Sequence, residues 1–231
     1  MVRRIQVEFT DQAQFTYPMV GMAREVDAAH MLTETLEAVA ESAMPADPRV
    51  WLEGAPRTSH TACLAVKAAA EQRLEGPYLR RLREGLVCRR ERIDHPDAFL
   101  TAARDVAGLD VARLDVDMRS NAMVELFGAD RDAAQAACGG DRPALPGFSV
   151  DGGEVVGPDG LREAVLAAGA VASPLPSVEE ALARFPFAGT AEVAQVCGLP
   201  ELRASMELWR LAGEFRARVE PFVCGELWSA A

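Results

Sequence analysis

The residues able to support redox, nucleophilic or metal chemistry are five cysteines, Cys63, Cys88, Cys138, Cys197 and Cys224, and three histidines, His30, His60 and His95. Neighbouring cysteines stand at least 25 positions apart and no Cys-x-x-Cys occurs, so no helix turn can set a resolving thiol beside an attacking one. An odd, widely spaced set also makes neither a secreted disulfide framework nor a zinc ribbon, and free thiols are expected. Without H-E-x-x-H or a paired-cysteine spacing, no metal and no cofactor is expected.

Cys88 is the candidate reactive thiol. It lies inside the run Arg80, Arg81, Arg83, Arg89, Arg90 and Arg92, and a continued helix would turn it away from the Leu82 and Leu86 face, where positive charge lowers a thiol pKa. Against this, single cysteines are mostly packing residues and charge runs mostly solvated faces. Cys63 shares a face with Val66 and Ala70 and reads as core, while Cys138, Cys197 and Cys224 fall at element ends. His60 has no located nucleophile or carboxylate beside it, so a capping or surface role is expected. The methionines Met19, Met22, Met31 and Met44 read as core filling rather than a peptide groove.

The elements that would position these residues come from a chain of 231 residues, 49% hydrophobic, which is enough to bury a sizeable core. A net charge of −11 repels phosphate backbones and argues against nucleic acid, the arginine run being the local exception. No stretch approaches the roughly 20 apolar residues of a membrane span. Met1-Val2-Arg3-Arg4 leads into Gln6, Glu8 and Asp11 rather than a signal segment, so a soluble cytoplasmic protein is expected.

Residues 2–9 show helical spacing without a start signal, and residues 14–22 alternate like a strand, with Pro18 forcing an edge or bulge. Helices then dominate residues 27–138. Asp27 caps a segment with Leu32, Leu36 and Val39, Ser59 caps a second, Pro77 opens a third, and Asp94 and Pro96 open a fourth that Gly108 closes. Asp110 caps a fifth, and helical pattern continues to Gly139-Gly140. Residues 146–156 read as a short hairpin around Gly152-Gly153, and residues 161–168 as a helix ending at Gly169.

Ser177 and Glu180 form a capping box that starts a new unit after a linker at 171–176. Thr190 caps a helix stopped by Gly198, Pro200 opens another through Leu208 and Leu211, and extended residues 216–223 turn at Cys224-Gly225 into Glu226-Leu227-Trp228. This is the outline of a helix-turn-helix with a β wing. Its four arginines against six glutamates give a net of −2 over residues 190–231, which suits a protein-interaction module better than a DNA reader.

The run Met44-Pro45-x-x-Pro48-x-x-Trp51, followed by Pro56-x-x-Ser59-His60-x-Ala62-Cys63-Leu64-Ala65-Val66-Lys67, resembles the helical insertion of DsbA-family thioredoxin-like proteins. Tyr78-Leu79-x-x-Leu82-Arg83-Glu84 and Gly108-Leu109-Asp110 are similar to its FrnE-like cytoplasmic dithiol-disulfide branch. The resemblance implies an α/β thioredoxin-like fold over residues 1–171 with a helical insertion at about 27–138, followed by a winged-helix-like unit at 177–231. It also implies that residues 2–9 match the later half of the first helix, so that the first strand and the Cys-x-x-Cys would lie upstream of Met1. Leu145-Pro146 falls where the family's cis-proline presents backbone to an extended substrate; the alternative is that Pro146 merely begins a strand.

By that resemblance the expected function is thiol-disulfide oxidoreductase-like, acting on protein or peptide thiols and disulfides, with no catalytic residue in this chain. Two alternatives stand beside it. One is a noncatalytic adaptor on the same scaffold, delivering clients to a Clp protease, with a protein partner bound through the C-terminal unit. The other is a glutathione-dependent isomerase of the same superfamily.

Overall fold

A computed structural model describes residues 1–21, 27–53, 56, 58–93, 95–137 and 146–231. Leu145, Cys138, Met22, Asp94, Gly139 and Gly140, all named above, lie outside the described residues. The architecture is α/β, mostly helical, with a small antiparallel sheet among the described residues. Among the described residues no helix is long and apolar enough to cross a membrane. The chain divides into two compact units, the described parts of Phe15–Glu34 and Asp47–Pro143, and the described parts of Met1–Gln14, Thr35–Ala46 and Ala144–Ala231. Helix α2 (Ala28–Ser42) has residues in both.

The first of these units is built on α3 (His60–Ala70), whose buried Ala65, Ala68 and Ala69 let neighbouring helices approach closely. Around it lie α4 (Glu75–Val87), α5 (Pro96–Arg104), α6 (Val111–Met118) and α7 (Asn121–Ala137). Tyr78, Leu82, Phe99 and Leu114 fill the space between them. The buried Tyr78 hydroxyl donates to the Phe99 carbonyl at 2.9 Å, so the ring carries its polar atom into the core without leaving it unsatisfied.

Asp110 caps α6 as expected, accepting from the Arg113 N–H at 3.0 Å. Helix α4 starts two residues before Pro77, which is tolerated because a first-turn amide has no helical acceptor to lose.

Residues 13–21 are not a strand. Tyr17 and Met19 do pack inward, but the sheet of the described residues lies within 188–230, and alternation without a ladder partner leaves only an extended segment. It is tied down instead by a side chain. Asp130 on α7 accepts the Met19 N–H at 2.8 Å and pairs with Lys67 of α3 at 2.9 Å.

The other unit contains α1 (Val2–Glu8), α8 (Leu161–Ala167), α9 (Val178–Arg184), β1 (Ala188–Gly189), α10 (Thr190–Cys197), α11 (Glu201–Gly213), β2 (Ala217–Pro221) and β3 (Glu226–Ala230). The strands are antiparallel in the order β1-β3-β2, with Trp228 opposite both Ala188 and Val219. This is the winged-helix arrangement. The expected capping box is present, with Ser177 and Glu180 each bonding the other's backbone, and Gly198 ends α10 at φ 64° in the left-handed region. Thr190 does not cap α10, because its hydroxyl is committed elsewhere. The hairpin expected at 146–156 is reduced to a single bridge between Phe148 and Val156.

A buried carboxylate fastens α1 within this unit. Glu8 receives Arg162 on Oε1 at 2.6 Å and Arg4 on Oε2 at 2.7 Å, and its carbonyl accepts the Ser173 N–H. The Arg162 hydrogen bonds, opposed by burial and assisted by Arg4, hold the Glu8 carboxyl below its ordinary 4.5. A lowered folded-state value means stabilisation that is present above pH 4.5 and lost as the pH falls through that lower value. Glu8→Gln is therefore expected to cost about 2 kcal/mol at pH 7, with the gap to wild type closing in progressively more acid buffer, as read by urea unfolding across that range.

Candidate protein-docking surface

Cys63, Cys88 and Cys197 are buried, and Cys224 is half-buried. None of the four described cysteines is in a disulfide. Cys63 is buried, which pushes its thiol pKa up, and burial takes Cys197 up to about 11, so both are protonated at neutral pH.

Cys88 follows the last residue of α4, where its N–H donates to the Glu84 carbonyl at 3.0 Å, and it is buried rather than turned out among the arginines. Four of those arginines are themselves paired. Arg80 and Arg89 pair with Glu84, Arg81 with Glu91 and Asp105, and Arg90 with Asp47 and Glu53. Carboxylates thus offset four of the six arginines of the run, which weakens the field that would attract a phosphate backbone.

Pro146 is exposed, and its expected companion Leu145 lies outside the described residues. His60 begins α3 with its ring edge-on to Phe127 at 5.5 Å, a packing contact. No cluster of potential metal ligands occurs among the described residues.

A different surface stands out on α11. Its inner face buries Ala204, Leu208 and Leu211. Its outer face presents Leu202, Met206 and Trp209, which are 76%, 58% and 56% exposed, and Phe215 just beyond the helix is 88% exposed. The spacing i, i+4, i+7 makes one apolar stripe, the pattern by which helices seat in partners. A contiguous exposed patch of this kind marks an interaction site, whereas scattered apolar residues do not.

Trp209 is held ready for contact. Its ring meets Trp228 edge to face at 5.0 Å; Trp228 is fully buried, its Nε1–H donates to the Thr190 hydroxyl at 3.0 Å, and that hydroxyl donates to Glu226 at 2.6 Å. On the flank of the stripe, Arg203 and Arg210 are paired with Glu207, and Arg210 also with Glu214. The helix that a DNA-binding winged unit would lay in a groove therefore offers apolar side chains and neutralised arginines. That chemistry suits protein.

Beside the stripe lies an open cleft of about 700 Å³, lined by Val39, Ala43 and Met44 from the end of α2 and by Leu202, Cys224 and Glu226 among others. Backbone bonds in both directions between Ala46 and Cys224 set the end of α2 against the wing turn. Two glycines make this possible: a Cβ on Gly189 would meet Pro45 Cδ at 2.8 Å, and one on Gly225, at φ 77°, would meet Pro45 Cα at 3.2 Å. Leu208 and Leu211 were legible as an apolar face of this helix; the second face at Leu202, Met206 and Trp209 was present in the same spacing and was missed.

Comparison with known proteins adds the relatives. The family model described as Thioredoxin matches residues 1–138. The ClpXP adapter protein SpxH of Halalkalibacterium halodurans is 28% identical over 230 residues, taking in 90% of this chain and 71% of that protein. The protein of the same name from Shouchella clausii is 27% identical over 211 residues, 78% of this chain and 69% of its own length. The broad thioredoxin-like expectation holds, while the relatives' names point to protease adapters rather than dithiol enzymes. With more than half its length matched by the family model, the chain belongs to the thioredoxin family.

Proposed function

We propose that this protein is a noncatalytic adaptor, which binds a client protein and presents it to a ClpXP-type protease. The observation that carries the reading is the outward apolar face of α11, displayed on a winged unit whose charge does not suit nucleic acid. The likeness to two ClpXP adapters, one alignment covering 90% of this chain, supports it. Binding needs no thiolate, in keeping with the burial of Cys63, Cys88 and Cys197.

The family match favours a second reading, dithiol exchange through a Cys-x-x-Cys with Pro146 presenting substrate. A cysteine-free protein separates the two, with alanine at the buried Cys63, Cys88 and Cys197 and serine at Cys138 and Cys224. Affinity purification from the source cells is expected to return the same stoichiometric partner, protease subunit or client, with the cysteine-free protein as with wild type. Loss of that partner with the fold intact would overturn the adaptor reading.

A further inference from the structure

We propose that the cleft between the end of α2 and the start of α11 receives a basic amphipathic segment of the partner, with aliphatic residues three and four apart and Lys or Arg on its flank. This rests on the adaptor reading and names the chemistry of what is bound.

The floor of the cleft is apolar, from Val39, Ala43, Met44 and Leu202, and no Lys or Arg lines it. Its charged groups are both carboxylates, Glu201 and Glu226. Glu226 already accepts the Thr190 hydroxyl. Glu201 stands exposed at the first position of α11 with no ion-pair partner among the described residues.

The stretch of α2 in this unit adds Glu37 and Glu41, with no Lys or Arg between residues 35 and 46. Its C-terminal end carries about half a negative charge that no basic residue in its last turn offsets. The starts of α10 and α11 each contribute about half a positive charge in the other direction, which two full carboxylates outweigh. The net field is negative, and the −11 of the whole chain steers cations toward it.

Leu202 belongs both to the cleft and to the exposed stripe that continues to Trp209, so one occupant covers both. From Leu202 to Trp209 is about 10 Å along the helix, the length of two turns of a docked helix. A second copy of this chain fits less well, because it would join two chains of charge −11 and bring no basic group to Glu201.

The test uses the full chain and two fluorescent 18-residue peptides of leucine with lysine or with glutamate in the same amphipathic order, titrated by anisotropy at physiological salt. The leucine–lysine peptide is expected to saturate one site, and Glu201→Lys or Leu202→Asp to weaken it by about tenfold or more. Glu125→Lys on α7 is expected to leave it within about twofold, separating the cleft from general charge attraction. Absence of saturable binding, equal binding of the leucine–glutamate peptide, or an equal loss with Glu125→Lys would overturn the proposal. So would a dimer in sedimentation that Leu202→Asp dissolves, since it would assign the face to a second copy. Partner capture by the cysteine-free protein does not depend on peptide preference, so it tells failure of this proposal from failure of the adaptor reading.

Discussion

Aspartate placed at both Leu202 and Trp209 is expected to abolish partner capture while leaving the protein folded. Both side chains lie on the outer face of α11, so neither change opens a hole in the core formed by Ala204, Leu208 and Leu211. The folding cost is confined to the Trp209–Trp228 edge contact, worth about 1 kcal/mol.

The binding cost is larger. A tryptophan anchor in an interface is worth about 2 kcal/mol or more, and burying a carboxylate where an apolar group seated adds to that, so the pair should weaken capture by about 100-fold or more. Retention of the partner on an affinity column, beside a circular-dichroism melt of the same variant, reads both quantities. Undiminished capture would remove α11 from the interface.

Trp228→Ala acts on the other side of the same contact, with an effect on stability. Trp228 is fully buried, sits opposite residues of both neighbouring strands, and anchors Thr190 through its indole N–H. Truncating a buried aromatic to alanine costs about 3–5 kcal/mol, which is a large share of the stability of a small unit. Hydrogen exchange should then show α10, α11 and the three strands losing protection while α3, α4 and α5 keep theirs. A loss below about 1 kcal/mol would mean that this indole does not hold the unit together.

The winged unit was the most legible part of the sequence because its signals are local. Ser177 with Glu180, Gly198 after α10, and Cys224-Gly225 between β2 and β3 each specify a cap or turn from a few neighbouring residues. Residues 14–22 show the limit of such reading. Their alternation correctly placed Tyr17 and Met19 inward, but a strand needs a partner from elsewhere in the chain, and Asp130 supplies the backbone acceptor instead.

Cys88 was misplaced for a related reason. Cys88 itself keeps helical backbone, but the chain turns back directly after it, with Arg90 at φ 55°, and the thiol is buried rather than facing solvent. In α2, Leu32, Leu36 and Val39 mark a face, yet none of the helix is fully buried. In α11 both faces are apolar, and spacing alone cannot say which one the core takes. The docking surface could be found only once Leu208 and Leu211 were known to point inward.

The most direct test of the adaptor account is the half-life of every protein in source cells lacking this one, measured by isotope pulse-chase and repeated with wild type, the cysteine-free protein, or the Leu202→Asp, Trp209→Asp variant restored. The account predicts a small group of proteins that persist without it, return to rapid turnover with wild type and with the cysteine-free protein, and persist with the α11 variant. Rescue that needs the cysteines and ignores α11 would contradict it, and would place thiol chemistry at the centre of this protein's work.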